Sequence, residues 1–188
     1  MRKVIAAFNM TLDGVCDHTA GFADEELHQH YTELLNKGAV ILYGRTTYQL
    51  MQFWQELLKK PSAERSMNDF ANSIDKIQKL VFSNTLKNTG WNSAKLAGKS
   101  LVEEVLELKQ QSGKDILVGS RSLIIQLLNS NLIDEFQICI YPIIEGKGLL
   151  LFDQIKNRIV LKLSKTKMLN SGVTVFYYEP TESKTTNR

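Results

Sequence analysis

The sequence predicts an α/β domain with a mixed, mostly parallel sheet, and three observations carry that expectation. Short apolar runs alternate with helix-length amphipathic stretches over the first two thirds of the chain. The last third instead offers consecutive strand candidates around a turn signal, so the sheet should finish in an antiparallel hairpin. Two of the apolar runs, Ala39-Val40-Ile41-Leu42-Tyr43 and Asp115-Ile116-Leu117-Val118, stop at a glycine followed by hydroxyls and an arginine. Each reads as a buried strand that turns directly into a helix.

The elements follow in order. Residues 3–9 form a first strand, closed by the polar loop Thr11-Leu12-Asp13-Gly14. A helix lies between positions 24 and 38, with Asp24 as N-cap, Leu27, Tyr31, Leu34 and Leu35 on one face, and Gly38 as its stop. Strand 39–43 comes next, then a helix over 46–58 whose apolar positions are Tyr48, Leu50, Met51 and Trp54. Pro61-Ser62-Ala63 breaks the pattern before a weaker helix over 66–76 and a strand over 79–83. Ser100 and Glu103 have capping-box spacing and open a helix whose buried stripe is Leu101, Val105 and Leu108, with Val102 and Leu106 beside them. After strand 115–119, Leu123, Ile124, Leu127 and Leu128 mark another helix. Strands over 135–141, 158–168 and 172–179 complete the sheet, the last two paired through Asn170-Ser171-Gly172. Residues 1–180 make one domain, with no repeat or linker, and the polar residues 181–188 are expected to be a disordered tail.

At 188 residues the chain can bury a core without staples. Its 43% hydrophobic and 23% charged residues are those of an ordinary soluble globular protein. The net charge of +3 is small and its cations are scattered, which argues against a nucleic-acid face. Cys16 and Cys139 stand far apart outside any metal spacing and read as free thiols in a reducing compartment. The apolar stretch after Met1 is too short for a signal peptide, and no run is long enough to span a membrane. A cytoplasmic location is expected. His28 and His30, two apart on a helix, point to different faces, so no metal site is expected.

Function centres on the two glycine turns. A helix N-terminus carries unpaired N–H groups and a partial positive charge, which suits a phosphate. Two such ends, at Gly44-Arg45-Thr46-Thr47 and Gly119-Ser120-Arg121-Ser122, suggest a ligand with more than one phosphate, a nucleotide cofactor first. Arg45 and Arg121 add guanidinium forks. The plainer reading is an ordinary strand-to-helix turn, with Ser120 a simple N-cap. Neither G-x-G-x-x-G nor a Walker A sequence is present. Asp13, in its Leu-Asp-Gly turn, is the candidate proton source; an Asx-turn aspartate is the alternative. Phe53 and Trp54 are candidates to line a substrate cleft or to pack in the core. Gly146-Lys147-Gly148 reads as a turn.

Order and spacing together add a family. Met10 to Gly14, Gly44 to Tyr48, Val81 to Leu86, Ile116 to Ser120, Leu132 to Phe136, Tyr141 to Gly148 and Leu151-Phe152 succeed one another along residues 2–179. This resembles the dihydrofolate-reductase-like family that includes the C-terminal reductase domain of the bifunctional riboflavin-biosynthesis deaminase-reductase, in its standalone branch. The zinc deaminase signature is absent. The resemblance implies a three-layer dihydrofolate-reductase-like domain that uses NADPH to reduce a small molecule. It implies that Gly44, Arg45, Thr46 and Thr47 hold phosphates. Gly119, Ser120, Arg121, Ser122 and Leu123 would wrap the pyrophosphate, and Ser83 with Asn84 would sit near the adenosine 2′-phosphate. Relatives often carry arginine at the position of Asn84.

Kinship makes a pyrimidine sugar phosphate of riboflavin biosynthesis the first substrate and folate the second. The riboflavin reductases carry a glutamate before the glycine pair, where this chain has Val118, so poor turnover of their substrate is expected. The alternative function is a non-catalytic NADP-binding or dimeric interaction protein that kept the fold. Relatives commonly pair, and the apolar residues on both faces of the C-terminal strands suggest a homodimer built partly on that sheet.

Overall fold

A computed structural model of the chain describes residues 1–181. Of the expected tail at 181–188, Thr181 donates through its amide and its hydroxyl to the Val160 carbonyl, and residues 182–188 lie outside the described residues. The elements run β1 (Val4–Thr11), α1 (Glu25–Lys37), β2 (Gly38–Gly44), α2 (Arg45–Lys59), α3 (Arg65–Lys76), β3 (Gln78–Phe82) and β4 (Ala94–Leu96). They continue with α4 (Leu101–Gln110), β5 (Asp115–Val118), α5 (Arg121–Asn129), β6 (Glu135–Tyr141), β7 (Leu161–Met168) and β8 (Thr174–Pro180). One sheet takes all the strands in the order β4-β3-β2-β5-β1-β6-β8-β7. Pairing is parallel from β4 through β6, and β8 and β7 close the sheet antiparallel.

The period-2 alternation of each strand builds three layers. Val4, Ala6, Val40, Leu42, Ile116 and Val118 face one side, where α4 and α5 lay Leu101, Val105, Ile124 and Leu127 over them. Ile5, Ala7, Ile41, Tyr43, Val81 and Leu117 face the other side, under Leu34 and Leu35 of α1, Tyr48 of α2, and Phe70 and Ile74 of α3. On β8 the same alternation turns Val175 toward α1 and Phe176 and Tyr178 toward the α5 side.

Where local chemistry is strong, the sequence and the structure agree. The Asp24 side chain accepts from the Leu27 amide, and Ser100 and Glu103 form the reciprocal capping box. Gly172 turns the final hairpin at φ 84°. Gly38 stops α1 as expected, its amide donating to the Leu34 and Leu35 carbonyls; its extended backbone then starts β2, and a Cβ there would lie 2.6 Å from Leu117 Cδ1. Two differences have physical causes. Val102 and Leu106 are exposed, at 37% and 46%, because α4 meets the sheet along the narrower stripe of Leu101 and Val105. Strand β4 has no apolar run to announce it: pairing with β3 holds it in place, and Thr89 Oγ1 donates to its Ala94 carbonyl at 3.0 Å.

Candidate functional site

Two helices leave neighbouring strands in opposite directions. From β2, α2 turns toward the α1 and α3 layer, and from the adjacent β5, α5 turns toward α4. A crevice opens at the carboxyl ends of the strands wherever the winding reverses in this way. The two glycine turns face each other across it, and the Gly44 amide donates to Ser120 Oγ at 2.9 Å. Ser120 stands at the N-cap position of α5, but its hydroxyl makes no capping bond and accepts across the crevice instead. Neither α2 nor α5 has a side-chain cap or an acidic residue in its first turn, whereas α1 and α4 have both. Gly119 has a packing reason: a Cβ there would come within 2.8 Å of Tyr43 Cε1.

The crevice widens into a cleft of about 580 Å³. Of the residues expected at the site, Gly44, Arg45, Thr46, Thr47, Gly119, Arg121 and Ser122 line it. The exposed Arg45 reaches the loop after β3, where Nη1 donates to Thr85 Oγ1 at 2.8 Å. Ser83 Oγ lies 3.4 Å from the same hydroxyl and accepts from the Thr85 and Leu86 amides. The two expected phosphate-binding pieces thus meet, through a threonine the sequence reading missed although it follows Asn84 directly. Asn84 itself is exposed beside this group.

Three expected residues are engaged within the protein. Arg121 is not a free guanidinium: it donates through Nε to the Leu150 carbonyl at 2.8 Å and through Nη2 to the Asp153 carboxylate, so its charge is already paired. Leu123 is a core residue whose amide is directed to the Ser120 carbonyl, which leaves nothing to wrap a ligand. Asp13 is a turn anchor. Its carboxylate accepts from Thr11 Oγ1 at 2.6 Å, from the Gly146 amide at 2.7 Å and from the Glu145 amide at 3.2 Å. Those donors, Thr11 foremost, hold its pKa down to about 2, so it carries no proton to give at neutral pH. The Gly146-Lys147-Gly148 segment is the turn that Asp13 pins.

The part of the cleft away from the glycine turns takes one expected residue, Trp54, while Phe53 is exposed and does not line it; the rest are residues without an expected role at the site. Asn9 on β1 accepts from Tyr31 Oη at 2.5 Å and donates through Nδ2 to Tyr141 Oη at 3.1 Å. Burial pushes the Tyr31, Tyr43 and Tyr141 hydroxyls well up from their ordinary range, so all three stay protonated. Trp54 packs on Phe70 with ring centroids 4.5 Å apart and on His28 at 5.5 Å, so it serves cleft and core together. Burial lowers the His28 pKa, and its Nδ1 is buried without a hydrogen-bond partner among the described residues. Cys16 lies in the cleft wall as an inert thiol, pushed up to about 11 by burial. Only their side-chain types, scattered over 9–141, could have signalled this cluster in the sequence. Among the described residues no group of three or more His, Cys, Asp or Glu could hold a metal ion, and no helix is long and apolar enough to cross a membrane.

Residues 2–175 match the family model of the RibD C-terminal domain. The uncharacterized protein YyaP of Bacillus subtilis is 34% identical over 181 residues, covering 94% of each chain. Among solved structures, a pyrimidine reductase-like protein from Corynebacterium diphtheriae superposes with a TM-score of 0.62 at 12% identity, over 96% of this chain and 92% of that one. The diaminohydroxyphosphoribosylaminopyrimidine deaminase/5-amino-6-(5-phosphoribosylamino)uracil reductase of Thermotoga maritima gives 0.66 at 17% identity, over 96% of this chain and 57% of that one. At these identities the two structures share the fold of this chain, a dihydrofolate-reductase-like α/β domain.

Proposed function

We propose that this chain, which belongs to the RibD C-terminal domain family, is an NADPH-dependent reductase of a small carbonyl-bearing or heterocyclic molecule. The observation that carries the reading is the pair of glycine turns, tied together at Gly44 and Ser120 and opening on one cleft. Reductase domains of this family generally use NADPH, and the residues present suit its phosphates. The first-turn amides of α2 and α5 lack side-chain caps, and the hydroxyls of Thr46, Thr47 and Ser122 stand beside them. Arg45 with Ser83 and Thr85 supplies a guanidinium and two hydroxyls, a set that fits a 2′-phosphate ester.

When bound, the dinucleotide supplies the hydride. The chain's own part is to orient the acceptor and keep water out, with Trp54 and Phe70 walling the cleft and Asn9 fixing the tyrosines. By kinship, the first substrate to test is the uracil derivative named for the Thermotoga protein, and folate comes second. A second reading, an NADP-binding protein without turnover, is favoured by Val118, which offers no proton where riboflavin reductases have a carboxylate. The test is thermal stability with each cofactor, followed by substrate-dependent oxidation. Ligand at ~100 times its dissociation constant adds about 2.7 kcal/mol to the folded state. NADPH should raise the melting temperature more than NADH does. Equal or absent shifts overturn the cofactor or its phosphate selectivity, and binding without oxidation selects the second reading. We further propose a cytoplasmic homodimer that uses the β7–β8 end of the sheet.

A further inference from the structure

The cleft runs from the glycine turns over β2 and β5 to Tyr141 on β6, two strands beyond β5 and so about 10 Å away at the usual strand spacing. At that far end the hydrogen bonds have a direction. Tyr31 donates to Asn9 Oδ1, and Asn9 Nδ2 donates to Tyr141 Oη. Tyr141 therefore accepts from the protein, and its own proton has no acceptor among the described residues. Phe22 packs against its ring at 5.3 Å, and Gly21 lies so close that a Cβ would come within 2.2 Å of Cε2. The ring is clamped and the donor is fixed.

The surroundings decide what that donor can meet. Trp54, Phe70 and His28 form an aromatic wall whose rings pack edge to face, with His28 kept neutral by burial and its Nδ1 unpartnered among the described residues. Asp17 is the one carboxylate lining the cleft among the described residues, and its Oδ2 already accepts from the Leu149 amide at 2.8 Å. A cationic ring would meet the Arg45 and Arg121 guanidiniums that line the same cleft against the single carboxylate of Asp17, so the fixed charge there does not favour it. An uncharged ring with an exposed acceptor atom would satisfy Tyr141 and stack on the wall.

We propose that Tyr141 is the substrate-binding donor of this cleft and that it selects an uncharged planar ring bearing a carbonyl or ring-nitrogen acceptor. The assignment of that end to the substrate rests on the reductase reading. Quinazolin-4-one serves as the neutral probe and N-methylquinolinium as a cation of similar size, each titrated by calorimetry with and without NADPH. The wild-type protein should bind the neutral ring at least tenfold more tightly. Tyr141→Phe keeps the clamped ring and should weaken that binding about tenfold, the worth of one neutral hydrogen bond in a dry site, while NADPH affinity stays within about twofold. Equal binding by the variant, equal binding of the cation, or no binding of the neutral ring by the wild type each overturns the proposal. Neutral-ring binding that depends on Tyr141 in a protein that ignores NADPH overturns the reductase reading instead. Should the variant fail to fold, the Tyr141 13Cζ resonance of the wild-type protein decides: it should move on addition of quinazolin-4-one, and a signal that stays put overturns the assignment.

Discussion

The backbone amide of Gly44 donates to the side-chain hydroxyl of Ser120 at 2.9 Å, joining two strand-to-helix turns that lie 76 residues apart in sequence. Beside the Gly119 amide's bond to the Leu42 carbonyl, it ties the two sides of the crevice between α2 and α5 together. Ser120→Ala leaves the Gly44 amide without its partner and should cost about 1 kcal/mol of stability. NADPH affinity should fall as well, because the two turns lose their fixed separation. Ser122→Ala, which removes a hydroxyl with no such tie, should leave the denaturant midpoint unchanged. Equal midpoints for the two variants would show that the Gly44–Ser120 bond does not hold the turns.

Gly119→Ala tests the second constraint on the same crevice. Its Cβ would lie 2.8 Å from Tyr43 Cε1, inside any tolerated contact, and Tyr43 is buried on the sheet face below. Overpacking of this kind costs about 1–3 kcal/mol. The expected result is a lower melting temperature together with weaker cofactor binding. Wild-type stability would mean that Tyr43 has room to move.

These two residues also mark how far the sequence could be read. Glycine at the ends of two apolar runs was enough to predict the turns, because a strand, a glycine and a helix start are local signals. That the turns sit on adjacent strands depends on β5 inserting between β1 and β2, which no local pattern encodes. Arg121 looked like Arg45 in the sequence, yet its partners Leu150 and Asp153 come from a loop about thirty residues on. Asn9, Tyr31 and Tyr141 lie on three separate elements, and only the register of β1 with β6 brings them together.

The contrast between the two arginines gives the next prediction. Arg45 is exposed and, among the described residues, its side chain bonds only to a surface threonine, so Arg45→Ala should weaken NADPH binding by about 1–3 kcal/mol and leave folding intact. Arg121→Ala strands the Asp153 carboxylate and frees the Leu150 carbonyl, so its main effect should be on the melting temperature. Normal NADPH binding by Arg45→Ala would make that residue structural.

Acid should destabilise the protein through His30. The ring is buried beside Tyr31 and Tyr177, and its Nε2 is without a partner among the described residues. Burial first, then Lys167, lowers its pKa from 6.5 to about 4. The unfolded chain therefore takes up a proton below about pH 6.5 that the folded protein refuses until about pH 4. Stability is complete above that window and is lost as the pH falls through it, by about 3 kcal/mol in all. His30→Met removes the titration while keeping an apolar filling. Denaturation curves from pH 7 to 4.5 should fall less steeply for this variant, and parallel curves would acquit His30.

Val118 decides whether the family's usual chemistry can be restored. The residue ends β5, is 1% exposed, pairs in register with Ala6 and Leu42, and packs in the core on the α4 and α5 side. A glutamate there would replace a buried apolar side chain, in register with Ala6 and Leu42 at the base of the cleft, by a carboxylate. The energetic cost of an unpaired buried charge is several kcal/mol, enough to raise the carboxyl pKa or expel the side chain toward the cleft. Val118→Glu should therefore lower stability steeply at neutral pH and recover part of it in acid, where the carboxyl is neutral; Val118→Leu should cost far less. Little turnover of the riboflavin-pathway sugar phosphate is expected from the wild type, since losing a positioned acid or base typically costs ~10²–10⁴-fold in rate. Val118 lines the cleft, and a stable Val118→Glu protein that gains this turnover would show that a carboxylate there reaches the substrate and that one side chain separates this chain from the riboflavin reductases. Rapid turnover by the wild type would show instead that the proton comes from elsewhere, with the Tyr141 hydroxyl the first place to look.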